Sequence, residues 1–388
     1  MRRFRNWGAN GRDRSRPLLW LHVASVGEGM MALPLLERVR RGMPAVQIAF
    51  TFFSPSAESL AREIAADFSD YLPFDSTRSA QAALDALDPT ALVFVKGDVW
   101  PNVVREASAD GVRVGLVSAS MPAKSMRARP FGALLTRDAY AALDAVGAAS
   151  ADDAEQLARA GAHASRIRVT GDTRYDQAWS RAHTDRRNVA LTDSLASNRP
   201  TLVAGSTWTS DERELLPAWL ELRMKIPHAR IFIAPHELSA SRLAFLDSWA
   251  SGAALSTARL DSATPETDVI IVDRMGVLAD LYALATLAYI GGGFHDAGLH
   301  SVVEPAVFRV PVVIGPCNSA SRDAQLMLRS SGAVSAHDCN ELSRLLERML
   351  SDERERADRS DAIGSVVAAE LGAADRSFEI VRQLLRTV

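Results

Sequence analysis

Glu28, within His22-Val23-Ala24-Ser25-Val26-Gly27-Glu28-Gly29, is the first side chain placed to do acid–base chemistry. It follows an apolar, strand-like run and opens a helical pattern, so it falls on the rim where an α/β protein binds its ligand. A carboxylate there can take a proton from an acceptor hydroxyl, and the flanking glycines let the loop bend and a substrate come close. The first turn of any helix also favours a glutamate, because the helix dipole stabilises negative charge there. The sequence leaves both roles open. The spacing Gly27-x-Gly29 lacks the third glycine of a dinucleotide fingerprint, Ala32 standing in its place, which argues against NAD. A second carboxylate, Asp98, lies in Val95-Lys96-Gly97-Asp98-Val99-Trp100-Pro101-Asn102, again just past an apolar strand. Either Trp100 and Pro101 wall a pocket and Asn102 caps the next helix, or Asp98 is a turn residue and Trp100 is core.

The second half carries its own candidates in YIGGGFHDAGLHSVVEPAVFRVPVVIGP, residues 289–316. A strand breaks into Gly291, Gly292 and Gly293, a polar turn follows, and a helix is expected to open near Gly298-Leu299-His300-Ser301 and run through Glu304. Backbone N–H groups of such a turn approach an anion closely, and a helix N-terminus adds partial positive charge. Glu304, one helical turn from His300, shares its face and suits a pair of ribose hydroxyls; the alternative is an ordinary glycine-rich turn with a solvated glutamate. Ser206 and Thr207 follow another strand and can donate to phosphate oxygens or serve as N-caps. Pro235-His236 and Met275-Gly276 sit at two further strand-to-helix turns. Four such turns, after Ala204, Ala234, Asp273 and Ile290, would fall on the same edge of one parallel sheet.

Strand and helix patterns alternate from Pro17 to about Ile380, which predicts α/β architecture with parallel sheets. Apolar runs place strands at Leu18–Ala24, Val46–Phe52, Ala91–Val95, Val112–Val117 and Ala145–Ala148 in the first half. In the second half they fall at Thr201–Ala204, Ile231–Ala234, Val269–Val272, Leu287–Ile290 and Val312–Ile314. The polar stretch 179–199 reads as a linker. It separates a domain at 17–178 from one at 200–388, the latter closed by a helical pattern from Arg356 to Arg386. Two doubly wound halves put a ligand cleft at the carboxyl ends of their sheets.

With 388 residues, 47% of them apolar, two domains are the natural size. A net charge of −3 gives no footing for a nucleic-acid binder. Two cysteines without a Cys-x-x-Cys pair, and no His-x-x-x-His on a helical pattern, predict neither a metal site nor a disulfide framework. No run of 18 apolar residues spans a bilayer. Residues 1–16 hold six arginines and one aspartate, so this segment reads either as a disordered basic tail or as a weak electrostatic contact to anionic headgroups.

Several stretches together resemble the 3-deoxy-D-manno-octulosonic acid (Kdo) transferases of lipopolysaccharide synthesis: SVGE at Ser25–Glu28, FVKGDVWPN at Phe94–Asn102 and GDTRYD at Gly171–Asp176. To these add AGSTWTSDE at Ala204–Glu212, APHE at Ala234–Glu237, DRMGVLADLYALA at Asp273–Ala285, and the glycine-rich region. The resemblance runs from about Trp20 to Val334. It implies a GT-B fold of two Rossmann-like domains facing across a cleft, the first holding a lipid A precursor and the second CMP-Kdo. Transfer would invert the anomeric centre, without metal or cofactor, at the cytoplasmic face of the inner membrane. Glu28 matches the family's general base. Asp98 aligns with a family glutamate one methylene longer and is assigned a catalytic place with it. Ser25, Gly27, Lys96 and Arg174 fall on the substrate side. Ser206, Thr207, Pro235, His236, Met275, Gly276, Gly292, Gly293, Gly298, His300, Ser301 and Glu304 fall on motifs that bind the nucleotide. The chain departs from the family at Ser301, often asparagine, and in its arginine-rich start, where most members carry an apolar anchor. Another GT-B sugar-nucleotide enzyme, such as a 2-epimerase, and a catalytically silent nucleotide-binding homologue are the alternatives.

Overall fold

The inner strands of each of the two sheets are largely apolar on both faces. In β1 (Leu18–Val23), Leu19, Leu21 and Val23 pack on one face, Leu18, Trp20 and His22 lie on the other, and all six residues are buried. That double burial is what a parallel sheet covered by helices on both sides requires. A computed structural model describes residues 1–97, 99–122, 130–184 and 188–386. The chain divides into two compact units, residues 1–177 with 370–388, and residues 178–369.

In the first unit β2 (Gln47–Phe52), β3 (Phe68–Tyr71), β4 (Ala91–Val95), β5 (Arg113–Ala119), β6 (Ala145–Ala148) and β7 (Ile167–Val169) join β1. The order is β3-β2-β1-β4-β5-β6-β7, with parallel pairings throughout. The order reverses between β1 and β4, so the loops after these two strands flank the crevice where doubly wound sheets bind ligands. In the second unit β8 (Thr201–Thr207), β9 (Arg230–Pro235), β10 (Thr257–Arg259), β11 (Val269–Ile271), β12 (Leu287–Ile290), β13 (Val312–Ile314) and β14 (Ala333–Ser335) form a sheet ordered β10-β11-β9-β8-β12-β13-β14, again parallel. Its crevice lies between β8 and β12.

Two expectations are corrected at the chain ends. Residues 1–16 are not a disordered tail: Arg2–Asn10 is a helix whose Phe4 is buried against Phe68, with ring centroids 4.8 Å apart. Four of the six arginines are spent on the first unit. Arg3 pairs with Asp70, Arg14 with Asp88, Arg16 donates to the Ala45 carbonyl, and Arg12 donates to Leu87 O and Gln47 Oε1. Phe4 and Trp7, one turn apart, supply the apolar face that makes this helix dock rather than fray. The closing helix, in turn, belongs to the first unit and not to the second. The pattern from Arg356 to Arg386 breaks at Gly372, where φ is +85°, into Glu353–Glu370 and Ala373–Leu385. Ile380, Val381 and Leu384 then enter the core beneath β1, β4 and β5. Asp176 caps this last helix by accepting from the N–H groups of Gly372 and Ala374 at 2.9 and 3.0 Å. The polar stretch read as a linker is partly helical, with Thr173–His183 and Val189–Ser194.

Candidate functional site

The end of β1 and the start of helix Val26–Gly42 fix Glu28 in the first unit. Its Oε2 accepts from the N–H of Ala24 (2.8 Å), the N–H of Ser25 (2.9 Å) and the Ser25 hydroxyl (3.2 Å). The capping role is therefore real, and it commits one oxygen only. Oε1 faces Lys96 Nζ at 3.9 Å, with the Glu28 side chain mostly buried and Lys96 half-exposed. Lys96 itself holds a left-handed φ of +69°, its backbone tied to β5 through Val117 O and the Ser120 N–H. A non-glycine residue in that region costs free energy that the surrounding bonds must offset. A Cβ on Gly27 would meet nothing closer than Ser25 Oγ at 3.9 Å, so packing gives no reason for glycine there, whereas one on Gly29 would strike Leu60 at 2.6 Å. Arg174 is held by the buried carboxylate of Asp172, with Nε at 2.8 Å and Nη2 at 2.6 Å from Oδ2. Asp98 lies outside the described residues.

The second unit assembles its turns around one buried acid. Asp211 is fully buried and accepts four hydrogen bonds: Tyr289 Oη (3.0 Å) and Phe294 N (3.2 Å) on Oδ1, Trp208 N and Gly292 N (both 2.8 Å) on Oδ2. It thereby joins the end of β8 to the glycine-rich turn after β12. Three glycines in this turn answer to close backbone approach. A Cβ on Gly291 would lie 2.1 Å from Ser206 O, on Gly292 2.2 Å from Gly298 O, and on Gly293 2.3 Å from Gly315 N. The Gly292 N–H is spent on Asp211, while that of Gly293 has no partner among the described residues. Gly276 and Gly298 have positive φ, 86° and 90°, as Gly292 does, but with open space where a side chain would point.

Ser206, at φ +55°, is the extra residue of a bulge between β8 and β9, and the bulge turns Thr207 and Trp208 toward the helix Thr209–Lys225. Thr207 does not offer its hydroxyl to a phosphate there. It is buried and donates to Glu212 Oε1 at 2.8 Å, and Glu212 also pairs with Arg242. Burial raises the Glu212 carboxyl, against the pull of Thr207 and Arg242. Asp211 and Glu212 both lie in the first turn of this helix, where the dipole favours a carboxylate. The N-cap is Trp208, not Ser206 or Thr207.

Trp208 gathers the histidines. His236 and His295 each stack on the indole at 4.2 Å between centroids, tilted 19° and 18°, and Trp208 Nε1 donates to His300 Nε2 at 3.0 Å. His236 also shares a cavity of about 340 Å³ with Trp208, Pro235, Ser239, Arg242 and Phe245. The helix expected to open near Gly298 begins only at Val303 and is one turn long, Val303–Ala306, so His300 and Ser301 lie in the loop before it. Pro305 lies inside that turn and Gly298 holds a positive φ, which keeps the preceding residues out of helical geometry. Ser301 is exposed and its hydroxyl accepts from Val303 N at 3.4 Å. Burial raises the Glu304 carboxyl, opposed by Arg181 and reinforced by Asp280. Arg181 also donates to the Gly276 carbonyl at 2.7 Å and pairs with Asp280, while Met275 stays exposed.

Trp208, Asp211, His295 and Arg181 were not singled out from the sequence. An aspartate three residues past a cap position was a legible signal for Asp211, but nothing marks Arg181 within a polar stretch. Changing Asp211 to asparagine should destabilise the second unit by about 2–3 kcal/mol, because an amide can accept at only one of its two ends and two buried donors lose their partner. Hydrogen exchange across 287–294 checks this; unchanged protection would show that the four bonds do not hold the turn.

Residues 2–177 match the family model described as 3-deoxy-D-manno-octulosonic-acid transferase (kdotransferase). The chain is 28% identical to the 3-deoxy-D-manno-octulosonic acid transferase of Bordetella pertussis, over 98% of this chain and 91% of that protein. It is 26% identical to that of Chlamydophila psittaci (strain ATCC VR-125 / 6BC), over 96% and 86%. Among solved structures, a UDP-N-acetylglucosamine 2-epimerase superposes with a TM-score of 0.69 over 95% of each chain at 15% identity, a likeness of fold. The architecture is GT-B, with two Rossmann-like units.

Proposed function

We propose that this chain, similar along both units to the 3-deoxy-D-manno-octulosonic acid transferases, is a glycosyltransferase that moves Kdo from CMP-Kdo onto a lipid A precursor, lipid IVA. The observation that carries the reading is the alignment with the Bordetella pertussis transferase, which runs through both units rather than one.

In the proposed reaction Glu28 Oε1 accepts the proton of a glucosamine hydroxyl while that oxygen attacks the anomeric carbon of Kdo. Oε2 stays bound to the Ala24 and Ser25 N–H groups, which hold the carboxylate still. The bond from the anomeric carbon to the CMP phosphate breaks, its electron pair leaves with CMP, and the anomeric configuration inverts. CMP departs as a stable anion, so no general acid is required. Lys96, with its Nζ 3.9 Å from Oε1, can meet the acceptor. Ser25 and Gly27 line the approach to the base, and Arg174, oriented by Asp172, can clamp a carboxylate or phosphate of a substrate. On the donor side the Gly293 N–H, the loop from Gly298 to Ser301 and His236 are the groups available for the phosphate. Gly276, Met275 and Glu304, grouped by Arg181, would take the nucleoside.

Among the described residues no helix is long and apolar enough to cross a membrane. The lipid acceptor places the protein, in this proposal, peripherally at the inner face of the inner membrane. The test is a transfer assay with purified protein, freshly generated CMP-Kdo and a tetraacylated lipid A precursor, with and without EDTA, read by mass spectrometry. A product heavier by one or more Kdo units in both arms is expected. No product, where a known transferase succeeds in parallel, would overturn the assignment and favour another sugar-nucleotide enzyme.

A further inference from the structure

Trp208 and His300 meet nitrogen to nitrogen, 3.0 Å apart. An indole nitrogen carries a hydrogen and offers no lone pair, so it can only donate. His300 Nε2 must therefore be bare, and a neutral imidazole with a bare Nε2 carries its proton on Nδ1. We propose that Trp208 is a positioning residue for the donor site: it fixes His300 as the Nδ1–H tautomer, so that this half-buried ring presents a single N–H donor to an anionic ligand of the nucleotide-phosphate class.

The geometry gives the indole little freedom to do otherwise. His236, from the turn after β9, and His295, from the glycine-rich turn, stack on it at 4.2 Å. Its backbone N–H is held by Asp211 at 2.8 Å. His295 is anchored in turn, its Nδ1 accepting from Ala297 N at 2.9 Å, and the His236 N–H is bound to Thr207 O at 2.9 Å. Rotating Trp208 away from His300 would break both stacks. His300 Nδ1 has no partner among the described residues, which leaves its N–H for a ligand. Burial, together with the His236 ring 4.7 Å away, opposes protonation of His300 more than Asp211 favours it, in keeping with a neutral ring. A histidine free to exchange tautomers would present a donor only part of the time; one locked by an indole presents it always. The N–H groups of Gly291, Gly292 and Gly298 are spent within the protein, so a fixed side-chain donor adds to the one that Gly293 leaves free.

The inference rests on the second unit being the donor half, and its test separates the two. Ring-nitrogen NMR of the full-length protein at neutral pH, with His300 assigned through His300→Gln, reads the tautomer without any reference to activity. The wild type should show Nδ1 protonated and Nε2 bare, and Trp208→Phe, which keeps an aromatic face for both stacking histidines, should show the two tautomers in exchange. Calorimetric titration with CMP should give about five- to tenfold weaker binding to Trp208→Phe, the scale of one lost neutral hydrogen bond. A wild-type His300 ring protonated on Nε2 overturns the proposal whether or not any variant folds. So does unchanged CMP affinity in a folded Trp208→Phe whose tautomer has been released. CMP that does not bind the wild type overturns the donor-half reading instead, and the tautomer then stands or falls on the NMR.

Discussion

Glu28→Gln should transfer Kdo at least about a hundredfold more slowly than the parent while remaining folded. Glutamine is the informative change because the capping bonds and the proposed base fall on different oxygens of Glu28. Oε2 holds the end of β1 by accepting from Ala24 N, Ser25 N and the Ser25 hydroxyl. An amide oxygen can take over those bonds, since they need an acceptor and not a charge. Oε1, the oxygen beside Lys96, becomes an NH₂ that cannot accept a proton. Glu28→Ala removes both tasks, and its loss of rate would mix lost chemistry with about 1 kcal/mol of lost capping. The measurement is kcat by mass spectrometry, with CMP affinity and the unfolding midpoint taken alongside. CMP affinity should not change, since the nucleotide is assigned to residues of the other unit. A glutamine variant that transfers at the parental rate would end the general-base assignment and leave Glu28 as a cap alone.

How much of this could be read beforehand depended on where in each sheet a residue sits. The ten strands expected from apolar runs are β1, β2, β4, β5 and β6 in one sheet and β8, β9, β11, β12 and β13 in the other. Those left out, β3, β7, β10 and β14, are the outer strands of the two sheets. The physical reason is exposure. An inner parallel strand is covered on both faces and reads as an unbroken apolar run, whereas Phe68–Tyr71, Ile167–Val169 and Thr257–Arg259 each keep most side chains partly in water. The same limit misplaced the chain ends. Arginines at positions 2, 3 and 5 outweighed Phe4 and Trp7, although those two rings on one face decide the docking. For the last helix, periodicity shows an apolar stripe but not which sheet it covers.

Candidate residues followed a related division. Positions after strand ends, such as Glu28, Gly276 and Gly293, were legible as candidates because topology alone puts them at the carboxyl edge of a sheet. What the turn after β12 does with its glycines was not. Gly291 to Gly293 read as an anion cradle, yet their bare Cα atoms are required by Ser206, Gly298 and Gly315 packed against them. Thr207 likewise read as a phosphate donor until Glu212 took its hydroxyl. Both outcomes depend on contacts across the sheet, between residues far apart in sequence, and no local pattern encodes them.

Acid should weaken the first unit through His22, six residues before Glu28 in the chain. The ring is 1% exposed and lies between Phe94 and Trp100; Nδ1 meets Thr51 Oγ1 at 3.0 Å, and Nε2 has no partner among the described residues. Burial pushes its pKa from the ordinary 6.5 down to about 3, the Thr51 bond opposing only part of the shift. The folded state therefore keeps His22 neutral at pH values where the unfolded chain binds a proton. Wherever the unfolded state holds more protons, stability falls as the pH falls. The contribution is complete above 6.5, declines as the pH drops through the interval from 6.5 to about 3, and is gone below it. At 1.36 kcal/mol per pH unit this amounts to roughly 4–5 kcal/mol across the whole interval. Hydrogen exchange in β1, β2 and β4 of the wild type and of His22→Asn, measured at pH 7 and pH 4, isolates this residue from the carboxylates that titrate in both. The wild type should lose roughly 3 kcal/mol more opening free energy than the variant over that range. Parallel losses in the two proteins would show that His22 takes up its proton without unfolding. The consequence for catalysis is that a neutral His22 cannot donate a proton to the reaction near neutral pH. Its role is to hold β1, and with it Glu28, in place.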